Sequence, residues 1–187
     1  TPSDKQFSVG GQLRFFGDSF QQSKKLGPRR FWRIPVMDGE FVCEDRFGSL
    51  KGVAGGNLLI AGRTPQSALS AAEAAVMAIR DVPNVILPFP GGIVRSGSKV
   101  GSRYKKLNAS THDAYCPTLR GMTELAIPDE VQAVYEIVID GLTADDVQAA
   151  MRVGLHAACG ADGVVMVTAG NYGGKLGPHH FYLKELL

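Results

Sequence analysis

Two stretches of the chain repeat apolar residues at helical spacing, and short β-prone runs lie on either side of each. In the first, Leu69, Ala72, Val76 and Ile79 recur every three or four positions and share one helix face. Thr64 stands where an N-cap belongs. Pro65 takes the first helical position, where a missing N–H costs nothing. The alanines along this segment suit close packing on a sheet. In the second stretch Val147, Met151, Leu155 and Ala158 form the apolar stripe. Thr143 is its N-cap, Asp146 resembles the acidic member of a capping box, and Gly160 is a C-terminal stop. Leu58-Leu59-Ile60-Ala61 precedes the first helix and Val85-Ile86-Leu87 follows it. Val134-Tyr135-Glu136-Ile137-Val138-Ile139 precedes the second and Val164-Val165-Met166-Val167 follows it. From residue 52 onward the order is therefore strand, helix, strand, an extended middle, strand, helix, strand. That is an α+β arrangement with the split βαβ, ferredoxin-like plan.

Residues 1–39 lie outside this pattern and are assigned to the end of a neighbouring lobe, with 40–187 as the ferredoxin-like lobe. Gln12–Phe16 and Arg30–Met37 read as strands. Asp38-Gly39, between Arg30–Met37 and Glu40–Cys43, is a hairpin signal. Pro35 cannot donate to a ladder, so its strand is expected at a sheet edge.

Composition narrows the class. Of 187 residues, 44% are hydrophobic and 20% charged, which excludes a disordered chain and supplies a real core. The formal net charge of +2 is too mild for a nucleic-acid binder. No apolar run approaches the roughly 18 residues that a membrane helix needs. Cys43, Cys116 and Cys159 are widely spaced and odd in number, which fits reduced thiols in the cytoplasm and no disulfide framework. The chain opens on Thr1 with no signal-peptide pattern, as expected of a piece of a longer protein.

Glycine is the outlier, at 23 residues. Gly52–Asn57, Pro88–Gly92 and Gly170–Gly177 are clusters between apolar runs. Each alone reads as a turn or bulge; three together favour a ligand cleft where backbone must come close to something. Glu136 is the most informative single residue. Val134 and Val138 share its face of the strand, and Tyr135, Ile137 and Ile139 fill the other, so both faces are apolar. Burial raises the pKa of a carboxyl, and one that keeps its proton can donate to a developing oxyanion or act as a general acid. A sheet margin or a structural ion pair fits the pattern equally. Asp140 lies roughly 13 Å further along the strand, too far for a glycosidase carboxyl pair, and marks the strand exit.

Arg95, Lys99, Arg103, Lys105 and Lys106 make a basic stretch without an acid, suited to carboxylates or phosphates, or simply a solvated loop. Neither Gly97-Ser98-Lys99 nor Gly174-Lys175-Leu176 completes a Walker A loop, so ATP and GTP are unsupported. His112 and Cys116 could pair as base and thiol nucleophile, although a free Cys is more often packing. Their spacing is no zinc signature, and no metal is expected.

Several segments, taken in order, carry a resemblance. They are Lys51–Asn57, Pro88–Val94 with Ser96–Gly101, Cys116–Leu119, Val134–Gly141 and Ala169–Pro178. Together they closely resemble the formylmethanofuran:tetrahydromethanopterin formyltransferase family, over nearly the whole chain. Family chains are longer, and this one resembles their C-terminal part. The resemblance implies two ferredoxin-like lobes and a homo-oligomer, in some members joined to hydrolase-complex subunits. It implies formyl transfer between the amine of methanofuran and N5 of tetrahydromethanopterin. Both act as co-substrates, with no tightly bound cofactor. Such enzymes serve methanogenic carbon reduction in archaea or formaldehyde oxidation in methylotrophic bacteria. The mildly basic charge favours a bacterial member. Glu136 matches the family's catalytic glutamate. Gly91, Gly92, Asn57, Ser98, Lys99, Asn171, Tyr172 and Lys175 are the expected coenzyme contacts. Lys99 and Lys175 are assigned to acidic groups and Asn57, Ser98 and Asn171 to polar ones. A non-catalytic structural subunit of a C1-transfer complex is the alternative function.

Overall fold

The computed structural model describes residues 4–95, 99–170 and 177–187. Its two compact units divide between Lys51 and Gly52. In the first, β1 (Gln6–Phe7) precedes α1 (Val9–Leu13), and β2 (Gln22–Leu26), β3 (Arg29–Val36) and β4 (Gly39–Glu44) form an antiparallel sheet in that order. The last strand, β5 (Phe47–Gly48), pairs with β1. The expected hairpin is present. Val36 pairs with Gly39 across Met37-Asp38, and Gly39 takes a positive φ of 145°. The boundary expected between residues 39 and 40 lies at the turn of this hairpin, where β4 begins.

Two expectations fail here. The strand carrying Pro35 is central, not an edge. The ladder to β2 ends at the Gln22–Arg33 pair, so Pro35 lies past it and no partner there needs its missing N–H. Gln12–Phe16 is helical, not extended. The N–H groups of Gly10 and Gly11 both donate to the Asp45 carbonyl, and a Cβ on Gly10 would sit 2.0 Å from the Glu44 carbonyl oxygen. That anchored approach starts a helical turn, which a run of only five residues cannot signal by periodicity.

In the second unit, β6 (Val53–Gly62), α2 (Pro65–Arg80) and β7 (Val85–Ile86) are followed by a two-strand ladder of β8 (Lys99–Val100) and β9 (Ala109–Ser110). Then come β10 (Ala133–Gly141), α3 (Ala144–Cys159) and β11 (Val164–Thr168). The main sheet runs β11-β6-β10-β7, and every neighbouring pair is antiparallel. Both helices open on capping boxes, that of α3 as its sequence calls for and that of α2 through Ser67, which the sequence reading does not single out. The Thr64 side chain accepts from the Ser67 N–H, and that of Thr143 from the Asp146 N–H. The stripe of α3 is buried as expected. That of α2 is rotated towards its alanines, with Ala68, Ala71 and Ala75 buried and Leu69 only half-buried. Small side chains let α2 lie close to the sheet and to α3. Gly160 ends α3 in right-handed conformation; the positive φ of the following turn, 77°, belongs to Gly163.

The helices cover one sheet face, where Leu58, Ile60, Ile137 and Ile139 meet Val76, Ile79, Val147, Met151 and Leu155. On a second cluster, Ala61, Ile127 and Val131 gather Val134, Tyr115, Leu125 and Met166. Here the long connection between β9 and β10 packs against the sheet. The side chains of β10 are thus enclosed on both sides, as the alternation predicts.

Candidate functional site

Glu136 sits midway along β10, with its Cα opposite Leu59 of β6. On its other side the chain leaving Gly91-Gly92 joins the sheet: the Val94 N–H donates to the Glu136 carbonyl at 2.7 Å, and the Glu136 N–H to that of Val94 at 2.9 Å. Gly91 and Gly92 make this possible with φ of 71° and 82°. A Cβ on Gly92 would also meet Leu87 Cδ1 at 2.8 Å. The Glu136 backbone is therefore held from both flanks, and its side chain is 5% exposed. Asn57 Nδ2 donates to Glu136 Oε1 at 2.9 Å, and the Gly170 N–H donates to Asn57 Oδ1 at 3.0 Å. The partner of this carboxyl is thus an amide, and among the described residues it has no ion pair.

Glu136 lines a cleft of about 80 Å³ with Leu59, Val94, Arg95, His112, Tyr115 and Cys116. The volume suits a one-carbon group and its attacking atom, not a whole coenzyme. His112 is packed edge-on to Tyr115, ring centroids 4.7 Å apart. Burial pushes the His112 imidazole below its ordinary pKa, although the neighbouring Asp113 carboxylate pulls the other way. It is neutral at pH 7 and can accept a proton. Cys116 Sγ lies 3.1 Å from Thr118 Oγ1, so its near neighbour is a hydroxyl.

A groove of about 590 Å³ shares Thr111 with this cleft and is lined by Lys99, Arg103, Tyr104, Leu119 and Met122. Lys99 Nζ donates to Asp113 Oδ1 at 2.6 Å, which holds the Asp113 carboxyl below the usual carboxylate range. Gly91 and Gly92 face a separate cavity of about 350 Å³ with Arg80 and Phe89. Asp140 accepts from the Gly55 N–H, a structural contact at the strand exit. Of the expected site residues, the structure brings Asn57 to Glu136, sets Lys99 in the adjoining groove and leaves Gly91 and Gly92 as shapers of the backbone. Ser98, Asn171, Tyr172 and Lys175 lie outside the described residues. Tyr115 and Thr111 are site residues that sequence reasoning misses, while Arg95 comes from the basic stretch it singles out. The first two reach the cleft through a long connection whose course no local pattern encodes. Among the described residues no three His, Cys, Asp or Glu side chains gather to share a metal ion, and no helix is long and apolar enough to cross a membrane.

A family model described as FTR, proximal lobe, matches residues 39–186. The chain belongs to the formylmethanofuran:tetrahydromethanopterin formyltransferase family. It is 56% identical, over 98% of its length, to the formylmethanofuran–tetrahydromethanopterin formyltransferase of Methylococcus capsulatus. It is likewise 56% identical, over 97% of its length, to a component of the formyltransferase/hydrolase complex of Methylorubrum extorquens. The chain spans 62% and 61% of these two relatives. Among solved structures it is similar to the formyltransferase of Methanosarcina barkeri, with a TM-score of 0.73, 45% identity and coverage of 99% of this chain and 63% of that one. It matches the Methylorubrum extorquens complex, solved with methylofuran, with the same TM-score, 54% identity and coverage of 100% and 63%.

Proposed function

We propose that this chain forms the catalytic lobe of a formyltransferase that moves a formyl group between methanofuran and N5 of tetrahydromethanopterin. The observation that carries the reading is the buried carboxyl of Glu136 on the wall of a cleft sized for a one-carbon group. The strand order β11-β6-β10-β7, with helices on one face, supports a ferredoxin-like lobe. In this account residues 1–39 continue a first lobe. The two coenzymes are co-substrates with no resident cofactor, and the enzyme is a cytoplasmic oligomer. The relative in the formyltransferase/hydrolase complex supports assembly with hydrolase subunits.

The chemistry is acyl transfer. The acceptor amine attacks the formyl carbon, and the carbonyl electron pair moves onto oxygen. Glu136, in its protonated form, donates to that oxygen. With Oε1 held by Asn57, the other oxygen is the one left to meet the substrate. A fixed donor in an enclosed site stabilises the charge that develops more than it stabilises the neutral carbonyl. The neutral His112 takes the proton from the attacking nitrogen and returns it to the departing amine as the old C–N bond breaks. The atoms balance without an external acid. The groove beside the cleft receives a coenzyme arm over its apolar floor. Arg103 stands at its rim, since Lys99 is engaged by Asp113.

The test is formyl transfer with both purified coenzymes, run on the longest chain that carries this sequence. Turnover is expected, and Cys116→Ala should keep it within a few-fold. Failure to transfer formyl in either direction would favour a structural subunit. Loss of turnover in Cys116→Ala alone would favour a thiol nucleophile instead.

A further inference from the structure

The sequence suggests that Asn57 touches a coenzyme, and the structure gives its amide different work. Asn57 lies on β6 opposite Val138, on the sheet face that carries Glu136. Both ends of its amide are engaged, Oδ1 by the Gly170 N–H and Nδ2 on Glu136 Oε1. A backbone N–H can only donate, so the amide oxygen must face Gly170 and the amide nitrogen must face Glu136. The orientation of Asn57 is thus dictated by the main chain at the end of β11. It delivers a donor to one chosen oxygen of the carboxyl. Gly170 also sits close to this amide: a Cβ there would stand 3.3 Å from Asn57 Nδ2, so that Asn57 would have to give by a few tenths of an ångström.

We infer that Asn57 is a positioning residue for Glu136, fixing its rotamer and reserving Oε1 as an acceptor so that the proton resides on Oε2. The role rests on Glu136 being the acid proposed above. It explains why the position requires an amide. Aspartate would still accept from Gly170, but it would set a second carboxylate oxygen against Oε1. Alanine would free the Glu136 side chain to rotate within the cleft.

The experiment measures kcat and KM for each coenzyme, with pH profiles, in Asn57→Ala, Asn57→Asp, Glu136→Ala and the double variant Asn57→Ala/Glu136→Ala. Asn57→Ala should lower kcat by about 10–100-fold, in the range seen when an outer-shell partner is lost, with both KM values within about two-fold. The double variant should be no slower than Glu136→Ala alone, because a residue that acts through Glu136 has nothing left to position. Asn57→Asp, isosteric and so the safer variant for folding, should lower kcat at least as far as Asn57→Ala, since it keeps the bond from Gly170 but sets an acceptor where Oε1 needs a donor. A rise of about ten-fold in one KM with kcat unchanged would overturn the inference and make Asn57 a coenzyme contact. Losses that multiply in the double variant would also overturn it. Wild-type turnover in Glu136→Ala would remove the acid itself, a failure distinct from either of these.

Discussion

At the scale of single residues, the site is two titratable groups in different surroundings. Glu136 is enclosed and bonded through one oxygen to an amide. His112 is partly enclosed and loses basicity through burial. Because the folded imidazole holds a proton less tightly than the unfolded one, the unfolded chain protonates first as pH falls. Stability from this residue is therefore intact above about 6.5, the ordinary histidine value, and is lost as pH drops through it. Denaturant midpoints at pH 7.5 and 5.5 should differ more for the wild type than for His112→Asn. Equal differences would show that His112 titrates as it does when unfolded. The burial of Glu136 is legible in the sequence, because alternation leaves it apolar neighbours on both faces of one strand. Its partnership with Asn57 is not, since that depends on the register that sets Asn57 opposite Val138. The approach of His112 is equally hidden, because it arises from how a long connection folds back on the sheet.

At the scale of elements, both βα units of the second compact unit follow from local chemistry. Thr64, Pro65 and Thr143 start the helices where capping rules require; the apolar stripe decides the buried side of α3, and the alanines turn that of α2. Where the chain turns from β6 into α2, Gly62 lets strand and helix meet. A Cβ there would lie 2.6 Å from the Ala68 backbone nitrogen and 2.8 Å from Ala68 Cβ, atoms that cannot swing aside. Gly62→Ala should destabilise the protein by about 1–3 kcal/mol, the usual cost of overpacking, measured by chemical denaturation. An unchanged midpoint would mean that the helix start shifts freely. The elements that sequence misreads share one cause. The strand expected over Gln12–Phe16 and the edge position expected for the Pro35 strand each rest on a few residues. The tertiary contacts of Gly10 and the short reach of β2 decide them otherwise.

At the scale of the whole molecule, the family is legible because long motifs occur in order along nearly the full chain, and the matches bear this out. The motifs are not all catalytic. Gly91-Gly92 bends the backbone so that Val94 can flank Glu136, and Lys99 neutralises Asp113, so part of the signature builds the site and part works in it. The net charge of +2 leaves affinity to local groups such as those of the basic groove, with little long-range steering. The central claim is that a single enclosed carboxyl stabilises the charge that develops on the formyl oxygen. The most direct measurement is kcat for formyl transfer in Glu136→Ala, with folding checked by thermal unfolding. A folded variant slower by about 10²–10³-fold, the cost of removing one oxyanion donor, is the predicted result. A folded variant that turns over within about three-fold of the wild type would contradict the account, since so small a change in rate leaves no donor of that strength to have been removed.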